Sequence, residues 1–400
     1  MTGEETPEEF RARARAWLAT VARPRPADGG WGTGDDSVAV FENWSAEAER
    51  EHTERIRDWE RTRFDHGWGA LGWPAEFGGR GLPAHYEQLY RAEEAGYAVP
   101  GRTEIFPVTQ HLVAPAVRIW GTPEQQERWI RPMLRTDLLT CQLFSETEAG
   151  SDLAAVRTRA VRAGDSWVLN GHKVWTSGAR VASWGLAVCR TDPEVAKHAG
   201  ITVFMVPMDA PGVEVRPIRQ MTGGSSFNEV YLDGVVVPDS DRLGPVGAGW
   251  RVTLTVLAAE RLDSGSLGVA NADRAIELAR HLNRPLTGSE RDRVAELFVR
   301  TVVQRVIGLR ITAALASGRE PGAEASVGKL YATETMRRTT DLTLQLLGPR
   351  LVADTGEWGT FAWTEHLLGA PGYRIAGGTD DIQRNILAER VLGLPKEPRP

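Results

Sequence analysis

The sequence predicts an α+β multidomain chain: an N-terminal helical domain, a middle β-sandwich or barrel domain, and a C-terminal helical bundle. Apolar residues recur at helical spacing to about residue 135, and short strand signals fill roughly 136–245. Long helical periodicity then returns over about 246–400. A length of 400 residues suits two or three domains with sizeable cores. The expected domains are 1–135, 136–245 and 246–400.

Composition limits the functional class. Hydrophobic residues make up 42% and charged residues 25%, as in globular proteins. The 47 Lys and Arg against 53 Asp and Glu leave a charge of −6, which gains little from nucleic-acid phosphates. Met1 to Phe10 is acidic and no apolar segment follows, so no secretory signal is expected. No apolar run is long enough to span a bilayer. Cys141 and Cys189 are too few for a disulfide framework and form no zinc motif, which fits a reducing cytoplasm and no metal. The 14 Trp read as helix packing in preference to a flat apolar pocket.

The elements follow in order. Thr6-Pro7-Glu8-Glu9 is a capping box with proline at the first helical position, and Phe10, Ala14, Trp17, Leu18 and Val21 follow at helical spacing. Arg23 to Gly34 reads as an exposed loop. Gly121-Thr122-Pro123-Glu124-Gln125 ends one helix and caps another. In the middle stretch, Asn170-Gly171 and Asp233-Gly234 each separate two short apolar runs and predict hairpins. Ile201 to Pro207 is a compact apolar strand. Thr287-Gly288-Ser289-Glu290 caps a helix running to about Ser317; another spans about Ala325 to Leu347 and stops at Gly348-Pro349. The last helix begins at Thr379, after two glycines.

Three segments carry the residue types of a site. Ser145-Glu146-Thr147-Glu148-Ala149-Gly150-Ser151-Asp152 concentrates hydroxyls and carboxylates, and a polar turn is an equal reading of it alone. Val174-Trp175-Thr176-Ser177-Gly178 sets an aromatic beside two hydroxyls, suited to a flat ring system with polar edges; a half-buried strand end is the plainer reading. Ala376-Gly377-Gly378-Thr379-Asp380-Asp381-Ile382-Gln383 leads two glycines into a helix N-terminus. Its free N–H groups suit an anion or a carbonyl oxygen, and an N-cap with a glycine turn is the alternative.

Taken jointly, the segments resemble the acyl-CoA dehydrogenase family over nearly the whole chain. The resemblance rests on Leu71-Gly72-Trp73-Pro74-Ala75-Glu76-Phe77-Gly78-Gly79-Arg80-Gly81 and Phe144-Ser145-Glu146-Thr147-Glu148-Ala149-Gly150-Ser151-Asp152. It continues through Asn170-Gly171-His172-Lys173-Val174-Trp175-Thr176-Ser177-Gly178 and the stretch from Ile375 to Pro395. It implies FAD held between a β domain and a C-terminal bundle, with Gln142, Phe144 and Ser145 lining the isoalloxazine and Trp175, Thr176 and Ser177 flanking it. It further implies Thr379 and Asp381 near FAD, Gln345 and Gly348 reaching the FAD of a neighbouring subunit, and Ser151 and Arg261 on the substrate side.

Dehydrogenation of an acyl thioester needs a base for the α-proton, polarisation of the thioester carbonyl, and a flavin to accept the β-hydrogen. Many members of the family carry the base immediately before the Gly-Thr of the last motif, where this chain has Gly377. Others place it in a Glu-Arg pair on an earlier helix, where this chain reads Leu257-Ala258-Ala259-Glu260-Arg261. Glu260 is therefore the expected base. A surface carboxylate paired with Arg261 is the plain alternative, but the apolar run Val252 to Ala259 implies a buried segment. Exclusion of water by an acyl chain would raise the pKa of Glu260 and strengthen it as a base. The resemblance gives Gly377 the role of holding the thioester oxygen through its N–H.

The family often has Phe-Gly shortly after a Glu-Arg where this chain reads Glu277-Leu278-Ala279-Arg280-His281-Leu282, so Arg280 is left unassigned. The implied substrate is an acyl-CoA or a carrier-bound acyl thioester. The C-terminal motif is similar to that of enzymes acting on bulky or branched acyl groups, including steroid side chains. The implied partners are an electron-transferring flavoprotein and further subunits, as a homodimer, a homotetramer or a hetero-oligomer. A flavin-dependent oxidase or monooxygenase on the same fold, or a non-catalytic subunit of a heteromeric dehydrogenase, are the competing readings.

Overall fold

A computed structural model describes residues 5–25, 38–41, 43–264, 270–282, 284–317, 322–353 and 360–396. The chain divides into two compact units, Met1–Arg25 with Asn43–Glu260 and Pro26–Glu42 with Arg261–Pro400.

The first unit opens with α1 (Pro7–Val21), α2 (Ala46–Asp65), α3 (His85–Glu94), α4 (Ile105–Pro107), a π-helical turn (Val108–Val113), α5 (Ala114–Trp120) and α6 (Pro123–Leu134). Both expected capping boxes form: Thr6 with Glu9, and Thr122 with Gln125. Phe10, Ala14 and Leu18 of the α1 stripe are buried. Trp17 stacks between Trp59 and Trp68 at 5.8 and 5.6 Å, so tryptophans here pack against one another. Of the expected loop, Arg23–Arg25 pairs with the chain around Tyr97, and 26–34 lies outside the described residues.

The strands are β1 (Thr140–Leu143), β2 (Arg159–Ala163), β3 (Ser166–Ser177), β4 (Trp184–Arg190), β5 (Ile201–Pro207), β6 (Val213–Pro217), β7 (Phe227–Pro238) and β8 (Arg242–Leu243). They form one eight-stranded sheet ordered β6-β7-β3-β2-β4-β5-β8, with β1 parallel to β4. The sheet curls: Trp167 of β3 and Phe204 of β5 lie 5.3 Å apart although two strands separate them along the ladder.

Both expected hairpins are wrong. Asn170-Gly171 and Asp233-Gly234 lie inside β3 and β7, two 12-residue strands that pair with each other. The register shifts between Leu169 and Gly171, and Asn170 Oδ1 accepts the Gly234 N–H at 2.9 Å. The two turn-like dipeptides therefore make a bulge. Gly171 is needed there because a Cβ would lie 2.3 Å from Thr158 Oγ1. A tight hairpin turn does form at Gly164-Asp165, between β2 and β3. After the sheet comes α7 (Gly249–Ser264).

The second unit contains α8 (Ala272–His281), α9 (Gly288–Ala316), α10 (Ser326–Leu347), α11 (Thr360–Tyr373) and α12 (Asp380–Arg390). Its core joins Ala275 and Leu278 of α8, Leu342 and Leu346 of α10, Trp363 of α11, and Val38. The Thr287–Glu290 capping box forms, and α10 stops at Gly348, whose φ is +53°.

His366 of α11 is fully buried, with its Nδ1 3.1 Å from Asn271 Nδ2, which also donates to the Val38 carbonyl at 3.0 Å. Burial lowers its pKa to about 4, against the opposing pull of the Met336 and Val38 carbonyls. The folded state thus resists protonating a ring that the unfolded chain protonates near pH 6.5. The stability it contributes is whole above pH 6.5 and is lost progressively as pH falls toward 4. We expect acid to destabilise this unit by up to roughly 3 kcal/mol through this group. Denaturation midpoints at neutral and acidic pH check this, since His366→Gln should flatten that part of the profile; an unchanged slope would remove His366 as its source.

Candidate active site

Two of the expected segments meet on the first unit. The chain leaving β1 runs beside β3: the Val174 N–H donates to the Ser145 carbonyl at 2.9 Å. A buried cation locks this junction. Lys173 Nζ has no solvent exposure and donates to the Phe144 carbonyl (3.1 Å), the Val188 carbonyl (2.7 Å) and Glu146 Oε1 (2.8 Å). Glu146 also accepts the Arg157 and Thr158 N–H groups at 2.6 and 2.9 Å. Burial alone would raise the Glu146 pKa, but Lys173 and these hydrogen bonds hold it below its ordinary value. Gln142, Phe144, Ser145, Trp175, Thr176 and Ser177 are thereby brought onto one neighbourhood of the sheet.

Trp175 departs from the packing of the other described tryptophans. Its φ is +62°, rare for a bulky residue, and it sits at a second register shift, between Lys173 and Thr176. The shift leaves the indole 60% exposed beside Phe227. Thr176 is buried, and neither its Oγ1 nor Gln142 Nε2 has a hydrogen-bond partner. The Ser177 hydroxyl donates to Glu104 Oε2 at 2.8 Å. Gly178 follows with φ +66°, and a Cβ there would lie 2.9 Å from Ile105 Cβ.

Glu260 lies on α7, four residues beyond Val256 and eight beyond Val252, both fully buried. It continues their stripe and is half-buried. The expectation that the whole run from Val252 to Ala259 is buried is not met: Leu254 and Ala258 are exposed, because α7 packs one face only. Arg261 follows on the same helix, and its side chain lies outside the described residues.

On the second unit, Gly377 and Gly378 form a turn with φ +64° and +82° before α12. Thr379 caps that helix by accepting the Ile382 N–H at 3.2 Å. Asp381 is exposed in the first turn and pairs with Arg384 at 2.7 Å. The neighbouring Asp380, rather than Asp381, is the buried one, bonded to Lys329, Thr333 and Arg374.

Gln345 and Gly348 are exposed at the C-terminal end of α10. Lys329, near its other end, touches the Gly378 turn, so about 24 Å of helix lies between Gln345 and the residue that contacts that turn. Ser151 is exposed in the loop after β1. Arg280 and Arg284 line a cleft of about 470 Å³ with Ile276, Ala279, Leu286 and Val294. Glu290 holds Arg284 at 2.7 Å, whereas Arg280 is exposed and makes no ion pair among the described residues. Lys173, Glu146, Glu104, Lys329 and Asp380 were not singled out from sequence. Lys173, Glu146 and Asp380 stand inside the sequence motifs, where a charge within an apolar strand or beside a glycine-rich turn is the one signal.

Comparison with known proteins agrees along the chain. Residues 37–137, 141–235 and 247–392 match the N-terminal, middle and C-terminal domains of acyl-CoA dehydrogenase. Acyl-CoA dehydrogenase IpdE1 of Mycobacterium tuberculosis is 36% identical over 399 residues, 98% of each chain. Acyl-CoA dehydrogenase FadE34 of the same organism is 40% identical over 333 residues; these are 83% of this chain but 45% of that longer relative. The solved structure described as Tcur3481-Tcur3483 steroid ACAD superposes with a TM-score of 0.79 at 29% identity, over 99% of both chains. Among the described residues no group of three or more His, Cys, Asp or Glu can hold a metal ion, and no helix is long and apolar enough to cross a membrane. With a relative matched from end to end and all three of its domains in order, this chain belongs to the acyl-CoA dehydrogenase family of oxidoreductases.

Proposed function

We propose that this chain dehydrogenates an acyl thioester to the 2-enoyl thioester with Glu260 as the base. One observation carries this assignment: Glu260 extends the buried stripe of α7, while the alternative base position is Gly377, which has no side chain. Glu260 takes the α-proton, and the Gly377 N–H stabilises the charge that moves onto the thioester oxygen. Ser151 and Arg261 belong to the substrate side.

FAD is the cofactor this reading requires, and the residues present fit it. Gln142 Nε2 and Thr176 Oγ1 are buried without partners, and the exposed indole of Trp175, next to Thr176 in the chain, offers a ring face. Gln142, Phe144, Ser145, Trp175, Thr176 and Ser177 would hold its ring system, and Thr379 and Asp381 would lie along the rest. When bound, FAD supplies the acceptor for the β-hydrogen, taken as hydride. Gln345 and Gly348 would serve the FAD of a neighbouring subunit.

A second subunit is supported by α9, where Phe298, Val302, Val306 and Leu309 recur at helical spacing and are 60%, 41%, 49% and 62% exposed. We take the assembly as a homodimer or homotetramer, with a cytoplasmic location and an electron-transferring flavoprotein as acceptor. The structural likeness to a protein described as a steroid ACAD favours a bulky acyl-CoA. Gly377 is the observation that favours a non-catalytic subunit of a heteromer; Glu260 weighs against it.

The test is the visible spectrum, flavin-to-chain ratio and sedimentation mass of the protein purified alone. About one FAD per chain in an oligomer is the expected result. A chain that stays colourless after FAD is added would show that another subunit is required.

A further inference from the structure

The turn that carries Gly377 is held from behind. Its neck is closed by Arg374 and Asp380: the Asp380 N–H donates to the Arg374 carbonyl at 2.9 Å, and Arg374 Nε donates to Asp380 Oδ2 at 2.8 Å. Inside that neck, Lys329 Nζ donates to the Gly378 carbonyl (2.9 Å), the Arg374 carbonyl (3.4 Å) and Asp380 Oδ1 (3.0 Å). Gln383 Nε2 donates to the Gly377 carbonyl at 2.9 Å. Lys329 is 3% exposed and Gln383 1%, so both carbonyls point into the protein.

Each peptide unit is planar and trans, so its N–H points opposite to its C=O. Fixing the Gly377 carbonyl inward turns the Gly378 N–H outward, and fixing the Gly378 carbonyl does the same for the Thr379 N–H. The Gly377 N–H sits on the peptide just before, constrained by its left-handed φ. Among the described residues, the N–H groups of Gly377, Gly378 and Thr379 donate to no protein acceptor. Gly378 itself has a φ of +82°, a left-handed conformation that favours glycine.

We propose that Lys329 and Gln383 are positioning residues for the thioester oxygen, holding the glycine turn so that its N–H groups are presented to the enolate before it forms. This rests on the acyl-thioester reading above. Asp380, itself held by Thr333 and Arg374, keeps Lys329 in place. An oxyanion donor acts by being fixed beforehand, and displacement by about 1 Å can cost about 100-fold in rate.

Phenylacetyl-CoA in D2O separates this step from oxidation, because its β-carbon carries no hydrogen. Glu260 takes an α-proton, the C–H electron pair moves to the thioester oxygen, and a solvent deuteron returns to carbon; no electrons reach the flavin. The FAD-loaded protein should exchange the α-protons, read by mass spectrometry. Lys329→Met and Gln383→Met should slow exchange at saturating thioester by roughly 10- to 100-fold. The half-saturating concentration should move less than about threefold, because the lost interaction matters mainly in the transition state.

Thermal midpoint and bound FAD are read on the same samples. Exchange that stays at the wild-type rate in folded, FAD-loaded variants overturns the inference and leaves the dehydrogenase reading intact. Loss of exchange only in proportion to lost FAD or lost fold also overturns it, as a purely structural role. If Lys329→Met does not fold, Gln383→Met decides alone. A wild-type chain that binds FAD and this thioester yet exchanges no proton overturns the dehydrogenase reading itself.

Discussion

Glu260→Gln lowers turnover by about 10²- to 10⁴-fold and leaves the flavin bound, as expected for loss of a general base. Gln keeps the shape and hydrogen-bonding reach of Glu but cannot accept the α-proton. The residue ends a buried stripe on α7 and is itself half-buried, so the substitution leaves the packing of Val252 and Val256 untouched. The effect should fall on kcat and kcat/KM together, because the group acts in the transition state. Steady-state rates with an acyl-CoA and an artificial electron acceptor, alongside the flavin spectrum, measure it. Normal turnover in the flavin-loaded variant would falsify Glu260 as the base.

The second large effect is on folding. Lys173→Met removes a fully buried cation from its pair with the largely covered Glu146, and leaves that carboxylate beside two orphaned carbonyls, those of Phe144 and Val188. Breaking a buried pair by deleting one partner costs about 3–5 kcal/mol. Because Lys173 joins β3 to the chain leaving β1, the same change should loosen the ground that holds Gln142, Ser145 and Thr176.

The penalty should depend on pH with a definite sign. Glu146 is held below its ordinary pKa of 4.5, so the stability it contributes is present above that pH and lost below it. The gap between wild type and Lys173→Met therefore narrows in acid, where the unpartnered carboxyl can be neutral. Adding Glu146→Gln should recover part of the loss at neutral pH. Urea midpoints of wild type, Lys173→Met, Glu146→Gln and the double variant at two pH values check this. A single variant as stable as wild type would show that the pair contributes nothing.

Local chemistry made the helical elements legible. Thr6 with Glu9, Thr122 with Gln125 and Thr287 with Glu290 cap helices where short-range hydrogen bonding requires, and Thr379 starts the last helix. The strand region was legible in kind but not in connection. Asn170-Gly171 and Asp233-Gly234 have the composition of turns, yet pairing between residues some 64 positions apart converts both into one bulge. No short-range rule reaches that far.

The site divides in the same way. Sequence by itself determined the motifs, their order, the missing carboxylate at Gly377 and the candidate at Glu260. Only the tertiary structure decided that Lys173 and Glu146 are one buried pair, that Trp175 is turned outward at positive φ, and that Asp380 rather than Asp381 faces inward. It also brought Lys329, 49 residues before Gly378 in the chain, behind the glycine turn. The reason is physical. Caps and turns are settled by neighbours along the chain, whereas the cost of burying a charge depends on partners that only the folded chain supplies.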